Sequence, residues 1–288
     1  MRTVKNTELI ITKKRKIYHL NISRKDIAND IIIVGDPSRV SQVSAFFDCI
    51  ETQISNREFI THTGKYNNRR ISVISTGIGT DNIDIVLNEL DAVANINFKT
   101  RKPNKKHTSL NIIRLGTSGA IQQDINIDEF IVSSYALGLD NLAHFYQDKN
   151  RFEKEISEAF IKYSNWPKEL SEPYIVKCSK ELLEKFHNFK HGITVTAPGF
   201  YAPQGRTLRA VNSIPKLNEI LNKFSFNGKK ITNFEMETSA LYFLSKCLGH
   251  HALTICAIIG NRITQESSQD HKKTIRKLIQ NVLEIISK

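Results

Sequence analysis

Cysteine is scarce and unpatterned in this chain. Cys49, Cys178, Cys247 and Cys256 lie far apart, with no Cys-x-x-Cys pair and no histidine at zinc-ligand spacing, so neither a disulfide framework nor a metal site is expected. Long hydrophobic runs are missing too. Apolar stretches such as Ile31 to Val34 are strand-sized, and none approaches the roughly 20 residues of a membrane-spanning helix. Met1 to Lys16 is rich in Lys and Thr, without the apolar core and small-residue cleavage site of a secretory signal, and the expected address is the cytoplasm. Acidic residues are in deficit, 29 Asp and Glu against 41 Lys and Arg, for a formal charge of +12. The densest basic clusters, Lys13 to Lys16 and Lys99 to His107, have no interleaved aromatics. They match no nucleic-acid motif and read as solvated loops on a basic surface that attracts anionic substrates. Neither a nucleic-acid nor a membrane partner is expected. No internal repeat or low-complexity tract is present.

What remains is an ordinary globular composition, 40% hydrophobic and 24% charged, arranged as alternating strands and helices. Ile31 to Val34 is a β-branched run suited to a strand covered on both faces. It stops at Gly35-Asp36-Pro37-Ser38-Arg39, where Pro37 begins a helix through Val40, Val43 and Phe47. Residues 50–62 and 69–76 read as two strands around a Lys65 to Arg69 turn, with Arg57 and Glu58 inside the first. Ile83, Val86, Leu87, Leu90, Val93 and Ala94 recur at helical spacing. Phe98 to Ser109, charged and broken by Pro103, is an exposed loop. The alternation predicts an α/β protein with a mostly parallel or mixed central sheet. It is expected to form one domain over residues 1–288, with 1–17 as a flexible lead-in.

Candidate chemistry concentrates where strands end. Ile112 to Ala120 drives Arg114 into an apolar strand and then brackets Thr117 and Ser118 with Gly116 and Gly119. A buried guanidinium needs a partner, and two remain open: an anionic ligand at the strand's C-terminal end or a structural acid. Gly35 to Arg39 is a second place where an oxyanion is welcome. Ala197 to Arg206 packs Phe200, Tyr201, Gln204 and Arg206 among prolines and glycines, a combination suited to a flat polar ring. Glu235 and Glu237 flank Met236 at the start of a helix, where acids also serve simply as dipole complements.

Six motifs in one order carry a resemblance: Gly-Asp-Pro-x-Arg-Val at 35–40, Arg-Glu-Phe at 57–59, Ser-Thr-Gly-Ile-Gly at 75–79, Arg-x-Gly-Thr-Ser-Gly at 114–119, Gln-x-Arg at 204–206 and Glu-Met-Glu at 235–237. Together they resemble the nucleoside phosphorylase family, uridine phosphorylase type, from about Tyr18 to the C-terminal helix. The resemblance implies a three-layer α/β/α domain with a mixed central sheet. It also implies phosphorolysis of uridine to uracil and ribose 1-phosphate, with inorganic phosphate as co-substrate and no cofactor required.

By the same resemblance, Gly35, Arg39, Arg114 and Thr117 hold phosphate, with Arg57 reaching in from a neighbouring subunit. Met236, Glu237 and the neighbour's counterpart of His19 grip ribose; Phe200, Gln204, Arg206 and Asn261 meet the base. Arg206, Gln204, Arg114 and Thr117 act in catalysis. Asn261 stands where purine-specific members usually carry an aspartate, which favours pyrimidines. The family also implies a homo-oligomer, a hexamer built as a trimer of dimers, and a potassium ion between subunits with Glu58 as one ligand. Asn82, where the family often has serine, counts against that ion. The alternatives are a purine nucleoside phosphorylase, a nucleosidase on the same fold, and a non-catalytic nucleoside or nucleic-acid binder.

Overall fold

A computed structural model describes residues 3–288; Met1 and Arg2, part of the expected lead-in, lie outside the described residues. In chain order the first half contains β1 (Asp30–Val34), α1 (Ser38–Ser44), β2 (Cys49–Asn56), β3 (Phe59–Tyr66), β4 (Arg69–Ser75), α2 (Thr80–Asn95), β5 (Ile96–Asn97), β6 (Lys102–Pro103) and β7 (Asn111–Ala120). Then follow β8 (Phe130–Gly138), α3 (Lys154–Ser164), β9 (Tyr174–Lys177), α4 (Lys180–Lys185), β10 (Lys190–Thr196) and α5 (Leu217–Lys223). The chain ends with β11 (Ser225–Phe226), β12 (Lys229–Glu235), α6 (Thr238–Leu248), β13 (His251–Asn261) and α7 (His271–Ile286).

The expected mixed α/β sheet is present. β1 lies parallel between β4 and β7, and β7 lies parallel to β13. β13 runs antiparallel to β8, β8 parallel to β10, and β10 parallel to β12. β12 then returns to β7 through the antiparallel pairs Asn233↔Ala120 and Phe234↔Gly119. Five strands therefore close on themselves, while β1, β4, β3 and β2 extend from β7 as an open wing. Closure gathers the C-terminal ends of β7, β10, β12 and β13 around one mouth, beside that of β1. Buried isoleucine, valine and leucine from β1, β4, β7 and β13 form the main core with the apolar faces of α2, α6 and α7.

Four expectations need correction. Residues 50–62 form a hairpin rather than one strand, because Arg57 takes a left-handed φ of 56° and Asn56 pairs with Phe59; Arg57 and Glu58 are its turn. β7 does not end at its glycines but continues through them to Ala120, held by β13 on one side and β12 on the other. The helix after Pro37 stops at Ser44, short of Phe47. The lead-in is not loose from Thr3 onward: Val4 N–H donates to the Arg101 carbonyl at 2.9 Å, and the Arg101 guanidinium donates back to the carbonyls of Val4 and Lys5. The 98–109 loop thus carries the tip of the small β5–β6 hairpin and clasps the N-terminal segment.

Packing beside the mouth is close at Gly138, where a Cβ would collide with the ring of Tyr174. That ring is fully buried, and its hydroxyl donates to Asp140 at 2.9 Å, so it cannot turn aside. Gly138→Ala is expected to destabilise the fold by roughly 1 to 3 kcal/mol through overpacking, measured as a lower denaturation midpoint; an unchanged midpoint would show that β8 and β9 separate freely.

Candidate active site

At the mouth lies a cavity of about 780 Å³ lined by Gly35, Arg39, Arg114, Thr117, Phe200, Gln204, Arg206, Met236 and Glu237, with Gly77, Ile78, Ser118 and Gly260 among its other walls. These residues come from segments spread between positions 35 and 260 of the chain. The mixed sheet explains why they meet, since Arg114 and Thr117 lie within β7 and the others follow or end strands whose C-terminal ends face the same crevice.

One end of the cavity is organised by Arg114. Its side chain is 6% exposed, with Nη1 3.2 Å from the Glu235 carboxylate and Nη2 paired to Glu237. The structural-acid reading of this arginine is the one met: its Nη1 and Nη2 pair with Glu235 and Glu237, and the residue also lines the cavity. Gly116 makes this possible, because a Cβ there would collide with Nη1. Burial opposes the charge on Arg114, but Glu237 and Glu235 more than offset it and hold its pKa above the ordinary arginine value. The acids are themselves fixed. Glu235 accepts from Thr196 Oγ1 at 2.6 Å and from the backbone N–H groups of Glu237 and Thr238 at 2.9 and 3.0 Å, closing the start of α6. Glu237 accepts from Gly79 N–H at 2.8 Å. Burial, with Glu235 nearby, pushes the Glu237 pKa up while Arg114 pulls it down.

Arg39 differs from Arg114. It donates to the Leu115 carbonyl at 3.1 Å, and among the described residues it forms no ion pair. Burial lowers its pKa first and the neighbouring Arg114 lowers it further. A guanidinium made less comfortable by a second one is stabilised when an anion joins them, because charge-assisted bonds then replace repulsion.

The other end is a cluster of donors. The Arg206 guanidinium lies 3.8 Å above the centre of the half-exposed Phe200 ring and donates to the Phe200 carbonyl and to Gln204 Oε1, at 2.6 and 2.7 Å. Arg262, unassigned from the sequence, donates to the same Oε1 at 2.8 Å and to the Gln204 carbonyl. Gln204 is buried, and its amide orientation follows from the two guanidiniums, which only donate; its Nε2 is left to donate. Burial and then Arg206 lower the Arg262 pKa to about 10. The signal for Arg262 was available, since it repeats the pattern of Arg39: a cation just beyond an apolar strand that leads into a glycine.

Asn261 does not join this end. Its Nδ2 donates to the carbonyls of Gln122 and Ile125 at 2.9 and 2.8 Å, and its Oδ1 accepts from Ile263 and Thr264 N–H. Those four bonds hold the turn after β13, so the expected base contact is corrected to a structural role.

His19, Arg57 and Glu58 also stand apart from the cavity in this chain. His19 Nδ1 is 2.6 Å from the Glu89 carboxylate, and its backbone carbonyl accepts from Asn56 at 2.6 Å. The exposed Arg57 lies over the Tyr18 ring, 5.5 Å from its centre. These residues form one outer surface patch, with Glu58 beside Gly77 and Asn82.

Known proteins share this sequence pattern and fold. Residues 30–288 match the family model described as the phosphorylase superfamily. A uridine phosphorylase from Thermococcus kodakarensis is 29% identical over 96% of this chain and 88% of its own. A DeoD-type purine nucleoside phosphorylase from Buchnera aphidicola is 26% identical over 93% of this chain and 98% of its own. A Trypanosoma brucei nucleoside phosphorylase, whose crystal structure is described as showing uridine phosphorylase activity, superposes with a TM-score of 0.87 at 26% identity, covering 96% of this chain and 98% of that one.

Removal of the unpaired guanidinium offers a direct check. Arg39→Ala is expected to weaken binding of inorganic phosphate by roughly 10- to 100-fold, the range for one charge-assisted bond, in a calorimetric titration; unchanged affinity would place the anion elsewhere.

Proposed function

Because this chain belongs to the phosphorylase superfamily, we propose that it cleaves the N-glycosidic bond of pyrimidine nucleosides with phosphate, converting uridine to uracil and ribose 1-phosphate. The observation that carries the reading is the polarity of one cavity: the unpaired Arg39 at one end, a donor-only cluster at the other, and the Glu237 carboxylate with Met236 between them. Phosphate bound by Gly35, Arg39, Arg114 and Thr117 is held for attack on C1′. Glu237 accepts hydrogen bonds from the ribose 2′- and 3′-hydroxyls, for which an ionised acid is suited, and Met236 packs beneath the sugar. As the bond to the base stretches, negative charge grows on the leaving ring. Gln204 Nε2 and Arg206 stabilise that charge, Phe200 supports the ring face, and Arg262 fixes Gln204. The rate enhancement comes from alignment of the nucleophile and from dipoles aimed where charge develops.

This chemistry uses phosphate as co-substrate and needs no organic cofactor. Donation of Arg57 and His19 into a neighbouring cavity makes the active unit at least a dimer, and a hexamer of three such dimers fits the resemblance. A potassium ion at that boundary would find one carboxylate in Glu58, with the Asn82 amide beside Gly77 in place of a hydroxyl. No helix among the described residues is long and apolar enough to cross a membrane, and the cytoplasm is the proposed location. The purine reading is kept open by the DeoD-type relatives and by Gly260, which leaves room in the base wall.

Turnover of uridine and inosine separates the two readings. Uridine is expected to be the better substrate by kcat/KM, and a preference for inosine would reverse the assignment. Arg206→Ala is expected to lower kcat on uridine by roughly 10²- to 10³-fold, the usual effect of losing one donor to developing charge; a change confined to KM would make Arg206 a binding group only.

A further inference from the structure

We propose that Asp91, His107 and His250 form a binding site for a first-row divalent transition metal, zinc in particular, which fastens the 98–109 loop to the core. The three come from different places: Asp91 from α2, His107 from the loop before β7, and His250 from the turn between α6 and β13. One ligand atom from each lies within 4.8 Å of the others, so a single ion can reach all three. None of them lines the nucleoside cavity.

The second observation is an orphaned atom. The His250 side chain is fully buried, and its Nε2 has no hydrogen-bond partner, although the Asp91 carboxylate stands 3.3 Å away. A buried nitrogen aimed at a carboxylate without a well-formed bond is unusual in a protein interior. The other two ligands are held ready. His107 Nε2 is 2.9 Å from the Leu248 carbonyl; a carbonyl has no proton to give, so Nε2–H is the donor and Nδ1 keeps its lone pair. That is the outer hydrogen bond metal-ligating histidines commonly make. The His107 and His250 rings stack with centres 5.6 Å apart, and Asp91 Oδ1 accepts from Asn95 at 2.7 Å.

Two imidazoles and a carboxylate suit zinc or cobalt rather than magnesium or calcium, which prefer all-oxygen sets. Three protein ligands leave a fourth tetrahedral position to water. His250 Nδ1 accepts from Leu110 N–H at 3.2 Å, so neutral His250 carries its proton on Nε2. A metal at Nε2 takes that proton's place, the proton moving to Nδ1 as the ring remains neutral, and the bond from Leu110 N–H is given up in exchange for the metal bond.

The test uses untagged, chelator-treated protein titrated with ZnCl2 or CoCl2, with MgCl2 for comparison. Expected are one zinc per chain, visible d–d bands with cobalt, and a Tm raised by roughly 5 °C when zinc exceeds its Kd about a hundredfold. His107 is exposed, so His107→Ala probes the site without opening the core; a loss of affinity of about tenfold or more is expected, and Asp91→Asn should act in the same direction. No zinc uptake, an equal response to magnesium, or unchanged zinc affinity in His107→Ala would overturn the proposal.

Discussion

The buried pairing of Arg114 with Glu235 and Glu237 is the interaction on which the site depends. It joins the middle of β7 to the junction of β12 and α6, across the ring of strands that closes the barrel-like part of the sheet. Breaking such a pair by removing one partner typically costs about 3 to 5 kcal/mol, because the remaining charge stays buried. The arrangement also sets the polarity of the cavity. With Nη1 and Nη2 of Arg114 paired to acids, Arg39 is the cavity guanidinium at this end that has no ion pair among the described residues, and the proposed phosphate site combines the two, with the Glu237 carboxylate fixed beside them.

A similar division between holding and acting recurs at the opposite end. Arg262 and Arg206 both donate to Gln204 Oε1, so the amide has one orientation and presents its Nε2. A purely donating surface favours an acceptor-rich ring, and favours it more as that ring gains negative charge. Preorganised donors of this kind need little rearrangement as the reaction proceeds.

Much of this was legible in the sequence, for identifiable reasons. Strand runs leading into glycines and arginine mark two stretches that welcome an oxyanion, Gly35 to Arg39 and Arg114 to Gly119, and the resemblance implied that Arg39, Arg114 and Thr117 share one site. The acids that satisfy Arg114 could be suspected only in kind, since Glu237 lies 123 residues further along. Asn261 misled because the resemblance sets it where purine-specific members carry an aspartate, whereas its orientation is dictated by the carbonyls of Gln122 and Ile125. The break at Arg57 was hidden because nothing in an alternating run announces a left-handed residue. Likewise, no local spacing reveals His107 and His250 as neighbours; they meet through the packing of the loop against α2 and β13.

The central claim is that phosphate, rather than water, attacks the sugar. Phosphorus NMR of the protein mixed with uridine and inorganic phosphate tests it most directly. The account predicts that a sugar 1-phosphate resonance grows in step with released uracil, and that release stops when phosphate is omitted. Uracil formed at the same rate without phosphate, together with free ribose, would contradict it.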